Sequence, residues 1–228
     1  MEFLLQAVDY FRHIDAHLAE LLRAYGGWTY AILFLIIFCE TGLVVTPILP
    51  GDSLLFAAGA VVATANSQPG EPALNIFILW LLLMVAAIIG DSVNYQIGRW
   101  LGLRVFKDDA RIMKTEYLRR TEAFYAKHGG KTIILARFIP IVRTYAPFVA
   151  GASRMDYPRF LSFNIIGGVV WITLFLFAGY FFGNIPFIQE NFEYVVIVII
   201  LLSVVPVIHE WLKARREKAS TTEPTPQP

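Results

Sequence analysis

Four ionisable side chains stand where the sequence is otherwise hydrocarbon-like. Glu40 and Asp52 bracket "TGLVVTPILPG", and Arg137 and Arg143 lie within "KTIILARFIPIVRTYAPFVAGAS" at 131–153. On insertion scales a charge at the centre of a bilayer costs about 2.5–3.5 kcal/mol, so four left unpaired would cost on the order of 10–14 kcal/mol, comparable with the whole stability of a domain. They must therefore pair or meet water. Two acids in one segment and two arginines in another suggest that the segments face each other. A guanidinium is planar, permanently charged and fork-shaped, which suits a phosphate or another anionic head group. A carboxylate responds to burial and to nearby arginines, so Glu40 and Asp52 could carry protons or compete for Arg137 and Arg143. The plainer alternative is a set of ion pairs that only locks two segments together, a task that apolar packing performs at a lower desolvation cost.

The segments that carry these charges are interrupted. Pro47, Pro50 and Gly51 split the first, leaving "WTYAILFLIIFC" (28–39) and "SLLFAAGAVVATA" (53–65) on either side. Each is about a dozen residues, roughly 18–20 Å as helix, too short to cross a core about 30 Å thick. Broken backbone at membrane depth is tolerated only where protein or a water-filled cavity satisfies its amides and carbonyls. The reading is a re-entrant hairpin over 28–65 with its tip at "TPILPGD", and a second over 131–153 with Pro140, Pro147 and Gly151 as its breakers. Gly51, Gly59 and Gly151 would also let backbones approach closely.

The surrounding composition agrees with a membrane protein. Of the 228 residues 57% are hydrophobic and 14% aromatic, and the mean hydropathy is +0.57, above the roughly 45–50% apolar content of soluble domains. Full spans are expected at 74–98, 160–183 and 192–211. Residues 1–27 have apolar positions at three- and four-residue steps (Leu4, Ala7, Val8, Phe11, Ile14, Leu18, Leu21, Leu22, Tyr25), which predicts an amphipathic helix at the interface. Acids at Glu2, Asp9, Asp15 and Glu20 speak against a cleavable signal, so this N-terminus is expected to be retained. The single Cys39 allows no internal disulfide and is expected as a small buried hydrophobe.

Two units repeat along the chain: an amphipathic helix, a Gly-Gly-x-Thr lead-in ("GGWT" at 26–29, "GGKT" at 129–132), an interrupted run and a full span. One hairpin plus one span per unit makes the second unit face the opposite way, an inverted-topology repeat. The amphipathic loop 99–130, with Lys131 just after it, carries nine basic residues against four acids, and the tail adds "KARREK". The connections 65–73 and 184–193 have no Lys or Arg. The loop and C-terminus are thus expected in the cytoplasm and the two connections outside, with 212–228 a disordered cytoplasmic tail. The fold class expected is all-α integral membrane, with two facing re-entrant hairpins plus transmembrane helices.

Other chemistries fare worse. Gly51-Asp52-Ser53-Leu54 spells the nucleophile motif of a hydrolase family that needs a late Asp-x-x-His, but none of His13, His17, His128 and His209 follows an aspartate at that spacing. No His/Cys/Asp spacing suggests a metal site, so no metal, cofactor, enzyme activity or nucleic-acid partner is expected. "GDSVNYQIGR" (90–99) sets Asp91, Tyr95 and Arg99 on one helix face, either as cytoplasmic interface markers or with Asp91 as a proton exit or a partner of the second hairpin. Asn164 is either interhelical glue or a ligand contact.

"FCETGLVVTPILPGDSLL", "GDSVNYQIGR", "ARFIPIVRTYAPFVAGAS" and "FNIIGGVVW" resemble the signature blocks of the bacterial DedA family, which shares its domain with eukaryotic lipid scramblases of the VTT (SNARE-associated Golgi protein) group. The likeness spans residues 1–210. It implies a multi-pass protein of the bacterial inner membrane, driven by the proton motive force, moving undecaprenyl phosphate or phospholipid. It puts the family's essential acids on Glu40 and Asp52 and its essential arginines on Arg137 and Arg143. The expected partners are lipids with an anionic head group, undecaprenyl phosphate among them, and protons; a homo-oligomer stays open. The alternatives are a proton/small-cation antiporter and a non-transporting scaffold for envelope integrity.

Overall fold

A computed structural model describes residues 14–43, 51–67, 74–106, 115–183, 185–190, 194, 195 and 198. The expected breakers Pro47 and Pro50 lie outside them, as do residues 1–13, most of the span expected at 192–211 and the tail. The described elements are helical: α1 (Ile14–Tyr25), α2 (Thr29–Gly42), α3 (Gly51–Ser67), α4 (Ile76–Leu101), α5 (Thr115–His128), α6 (Thr132–Ala136), α7 (Pro140–Ala152), α8 (Tyr157–Phe182) and the short α9 (Pro186–Glu190). Among the described residues three helical stretches are long and apolar enough to cross a membrane: Ala16–Gly42, Ile76–Leu101 and Tyr157–Phe182.

The first of these is not one straight rod. Gly26 adopts a left-handed φ of 51° between α1 and α2, and Gly129 does the same at 57° between α5 and α6. A residue with a Cβ pays for that conformation, which is why each Gly-Gly-x-Thr lead-in begins with glycine. Each lead-in forms one 3-10 turn, Gly26–Trp28 and Gly129–Lys131. Thr132 then ties the second turn back by donating to the Phe124 carbonyl at 3.0 Å.

The two long helices start and stop on local signals. Asn75 caps α4, its side chain accepting from the amides of Phe77 and Ile78 at 2.9 and 3.2 Å, and Gly102 ends it with φ 70°. Proline in the first turn starts α8, where a missing N–H costs nothing. Trp80 of α4 donates to Thr173 of α8 at 2.8 Å and joins the two.

The contacts follow one pattern twice. α2 lies on α4 and α3 crosses to α8; α6 lies on α8 and α7 crosses to α4. The crossings are glycine clasps. A Cβ at Gly59 would stand 2.0 Å from the Leu176 carbonyl oxygen, and one at Gly179 would stand 1.9 Å from that of Phe56. On the other side a Cβ at Gly151 would stand 1.9 Å from the Tyr95 oxygen, and one at Gly98 would stand 2.1 Å from that of Phe148. Association of helices in lipid relies on such close backbone approach. The larger apolar core joins α1–α4 with α8 through residues such as Leu22, Leu55, Leu83 and Trp171, and smaller clusters around Phe124, Phe148 and Phe160 seat α5 and α7.

Several expectations are corrected. Pro140 does start α7, but Pro147 sits inside that helix, which continues to Ala152. A single missing N–H is tolerated where close neighbours hold the helix on all sides. Gly151 is likewise no breaker; it is helical and forms a clasp. Cys39 is exposed rather than buried. Tyr25, placed on the apolar face of the first helix, is 58% exposed.

The clasps make a sharp prediction. Gly151→Ala and Gly59→Ala should each lower the stability of the detergent-solubilised protein by about 1–3 kcal/mol, the usual cost of overpacking. Gly27→Ala, with nothing within 4 Å of the new methyl, should melt like the parent. Thermal melts followed by size exclusion decide it, and an unchanged Gly151→Ala melt contradicts the clasp.

Candidate functional site

All four charges singled out in the sequence lie inside the protein. Glu40, Asp52 and Arg137 are buried, at 5%, 7% and 2% exposure, and the Arg143 side chain is 12% exposed. Glu40 ends α2, Asp52 opens α3, Arg137 sits in the break between α6 and α7, and Arg143 lies in the first turn of α7. The breaks bring the charges together because a helix end can present its side chains and amides to a partner that a continuous helix would pass by.

Arg143 is the shared cation. Its Nη2 donates to Glu40 Oε1 in a short charge-assisted bond, and its Nη1 donates to Asp52 Oδ1 at 3.0 Å. Glu40 Oε1 also accepts from the Gly51 amide at 3.1 Å. Gly51 is glycine for a steric reason, since a Cβ there would fall 2.3 Å from Glu40 Oε2.

Arg137 takes different partners. Its Nη2 donates to Asp91 Oδ2 of α4 at 2.5 Å and to Asn164 Oδ1 of α8 at 2.6 Å. Asn164 in turn donates to the Ile88 carbonyl at 3.0 Å, bridging α8 to α4. Asp91 is thus a buried partner of the second broken segment. Asn164 takes the interhelical role, joining α8 to α4 while it accepts from Arg137. Tyr95 and Arg99 do not reach the centre. Tyr95 is wholly buried and donates to the Met155 carbonyl while stacking on Phe160 at 4.5 Å. Arg99 is exposed near the end of α4.

Two central residues escaped the sequence reading. Trp171 of α8 joins the two arginine groups: its indole N–H donates to Asp52 Oδ1 at 2.7 Å, and the guanidinium carbons of Arg137 and Arg143 lie 5.7 and 5.1 Å from its ring centroid. Both are within cation–π reach. Nothing in "GGVVWITL" distinguishes this tryptophan from an ordinary apolar one. Asn94, wholly buried on α4, spends the two protons of its amide on Thr41 O at 3.2 Å and Thr144 O at 3.0 Å. Those carbonyls immediately follow Glu40 and Arg143 in sequence, so one side chain fixes the backbones that carry the ion pair. A polar residue within an apolar span was the available signal, since such groups are rarely idle.

From the adjoining α5, Tyr125 donates to the Ala146 carbonyl at 2.9 Å. Burial, and next the Asp91 carboxylate, raise its hydroxyl above the ordinary value. It therefore stays a neutral donor across the working pH range.

The centre thus holds three carboxylates, Glu40, Asp52 and Asp91, against two guanidiniums. Among the described residues, three buried side-chain polar atoms have no hydrogen-bond partner: Glu40 Oε2, Asn94 Oδ1 and Arg137 Nε. Among the described residues no group of three or more His, Cys, Asp or Glu is placed to hold a metal ion.

An all-helical chain with membrane-length apolar helices and a buried cluster of paired charges is an integral membrane protein with an internal polar centre. Sequence comparison places it more narrowly. The VTT domain family model matches residues 49–181. The chain is 51% identical over 220 residues to "Protein DedA" of Escherichia coli K12, covering 96% of this chain and 98% of that one. It is 40% identical over 211 residues to an uncharacterized membrane protein of Mycobacterium tuberculosis, covering 91% and 90%, and 36% identical over 180 residues to inner membrane protein YqjA of E. coli K12, covering 78% and 79%. No solved structure matches the chain. The protein belongs to the DedA family.

The Asn94 bridge is testable. Asn94→Leu keeps the volume but removes the amide that the Thr41 and Thr144 carbonyls share, at a cost of about 1–3 kcal/mol. Unfolding in detergent should show that loss, while Cys39→Leu, at an exposed site, should be silent. An Asn94→Leu protein as stable as the parent would mean that the bridge carries no weight.

Proposed function

We propose that the protein is a proton-coupled transporter of the bacterial inner membrane that moves an anionic lipid, undecaprenyl phosphate or a phospholipid, between leaflets. The observation that carries this reading is Arg143, a nearly buried guanidinium held by two carboxylates from the opposite interrupted segment. A guanidinium shared by two acids can exchange one of them for another anion that accepts from its planar fork. Arg137, with an unbonded Nε, is the second anion ligand. Glu40 and Asp52 couple release to protons: ionised, they occupy Arg143; protonated, they free it for the head group.

The charge count supports the coupling. Three carboxylates less two guanidiniums leave one negative charge in excess when all are ionised, and an uncompensated buried charge is costly enough that a proton is the natural counterpart. The same excess is what favours the second reading, a proton/small-cation antiporter. Both readings are of a transporter rather than an enzyme.

In this reading the segments 28–65 and 131–153 are re-entrant hairpins related by an inverted repeat. The doubled contact pattern and the matching left-handed glycines support it. The basic loop after α4 and the C-terminus are then cytoplasmic.

The test is binding of a lipid phosphate by purified variants, measured by native mass spectrometry or calorimetry. Glu40→Gln and Asp52→Asn mimic the protonated state and should retain or tighten binding while abolishing pH-dependent turnover in vesicles. Arg143→Ala and Arg137→Ala should lose binding itself by tenfold or more. Acid variants that stay folded yet lose binding as completely as the arginine variants would reduce the cluster to a structural network.

A further inference from the structure

The outer faces of α4 and α8 leave a groove of about 560 Å³ between them, lined among others by Ile88, Ser92, Val93, Gln96, Trp100 and Leu161. Its size falls within the roughly 300–1,000 Å³ of ligand sites. Both walls belong to helices long and apolar enough to cross a membrane, so the groove opens toward lipid. Trp100, 84% exposed, stands at its end on the last turn of α4, where amphipathic aromatic rings mark the membrane surface. Arg99 and Arg104, both exposed, lie at that same end.

The inner wall of the groove is thin. Ile88 lines the groove, and a Cβ at Gly168 would lie 3.3 Å from Ile88 Cγ1 and 3.6 Å from Arg137 Nη2. A Cβ at the neighbouring Gly167 would lie 3.1 Å from Arg137 Nε, the nitrogen that has no hydrogen-bond partner. A methyl at Gly168 would thus touch both a side chain that lines the groove and the guanidinium of Arg137, a buried cation with an unused N–H. Ile88 is also the residue whose carbonyl Asn164 holds while it accepts from Arg137, so the wall and the arginine are joined by one side chain.

We infer that this groove is the lateral portal of the site: it seats the hydrocarbon chain of an anionic membrane lipid whose phosphate passes Ile88 at the Gly167-Gly168 step to reach Arg137. The chain remains in the apolar groove while the head group exchanges bilayer surface for the guanidinium. The inference rests on the transporter reading and adds the occupant's chain and its route. It gives Gly167 and Gly168 a reason beyond close helix approach, because any larger residue would close the passage.

The experiment measures binding of dioleoyl phosphatidic acid to the full chain in detergent by native mass spectrometry, with dioleoylglycerol and glycerol phosphate as chain-only and head-only probes. Ser92→Trp should fill the groove and weaken phosphatidic acid binding tenfold or more; Gln96→Trp is the second variant should the first misfold. Leu81→Trp, on an exposed part of α4 outside the groove, should bind as the parent does. Folded Ser92→Trp and Gln96→Trp proteins that bind phosphatidic acid normally overturn the portal, and if Arg137→Ala and Arg143→Ala still lose binding the transporter reading survives without it. Dioleoylglycerol or glycerol phosphate binding as tightly as phosphatidic acid also overturns it, because the portal requires chain and phosphate together. A parent protein that binds none of the three removes both readings.

Discussion

The described core is arranged around one electrostatic demand: a guanidinium kept out of water must be met by carboxylates or other acceptors. Arg143 meets that demand only if the end of α2 and the start of α3 stand opposite the first turn of α7. This is why interrupted helices, costly in a bilayer, are present at all. An intact helix satisfies its own amides and offers nothing to a partner, whereas a broken one leaves amides free, and the Gly51 amide is spent on Glu40. Asn94 applies the same logic to carbonyls, taking up those of Thr41 and Thr144 next to the two charged residues.

The small residues follow from that demand. Crossing two segments over two long helices at this depth brings backbones together until no Cβ fits, which accounts for Gly59, Gly98, Gly151 and Gly179 as clasps and for Gly51 beneath the Glu40 carboxylate. Trp171 is a large, fully buried side chain between the two arginines. It offers an apolar body to the core, an N–H to Asp52 and a π face to both arginines, so one residue serves three kinds of contact. The two ion-pair groups, Arg143 with Glu40 and Asp52, and Arg137 with Asp91 and Asn164, thereby become one site.

Much of this was legible in the sequence because charges in apolar runs are rare and therefore informative. Glu40, Asp52, Arg137 and Arg143 could be named from their surroundings alone, and the need for partners predicted that the segments bearing them would meet. The lead-in glycines were readable as a repeat, and their left-handed φ supplies the reason. What could not be read was direction. Helical periodicity does not say which side of α2 meets protein and which meets lipid when nearly every residue is apolar, so Cys39 was put on the wrong side. Pro147 misled because a proline's effect depends on whether its neighbours hold the helix together. Trp171 was invisible, since its chemistry comes from what other segments bring to it.

The charged centre depends on the coupling between Glu40 and Arg143, which a double-mutant cycle measures directly. Unfolding free energies in detergent would be compared for the parent, Glu40→Gln, Arg143→Met and the double variant. Breaking a buried pair by removing one partner costs about 3–5 kcal/mol, because the other charge is left stranded. Arg143→Met strands both Glu40 and Asp52, whereas the double variant strands Asp52 alone, which keeps its bond from Trp171, so the double variant should be less destabilised than the two single changes added together, by more than the few tenths of a kcal/mol expected of independent sites. Strict additivity would mean that the two side chains do not feel each other, and the shared charged centre on which the account depends would not exist.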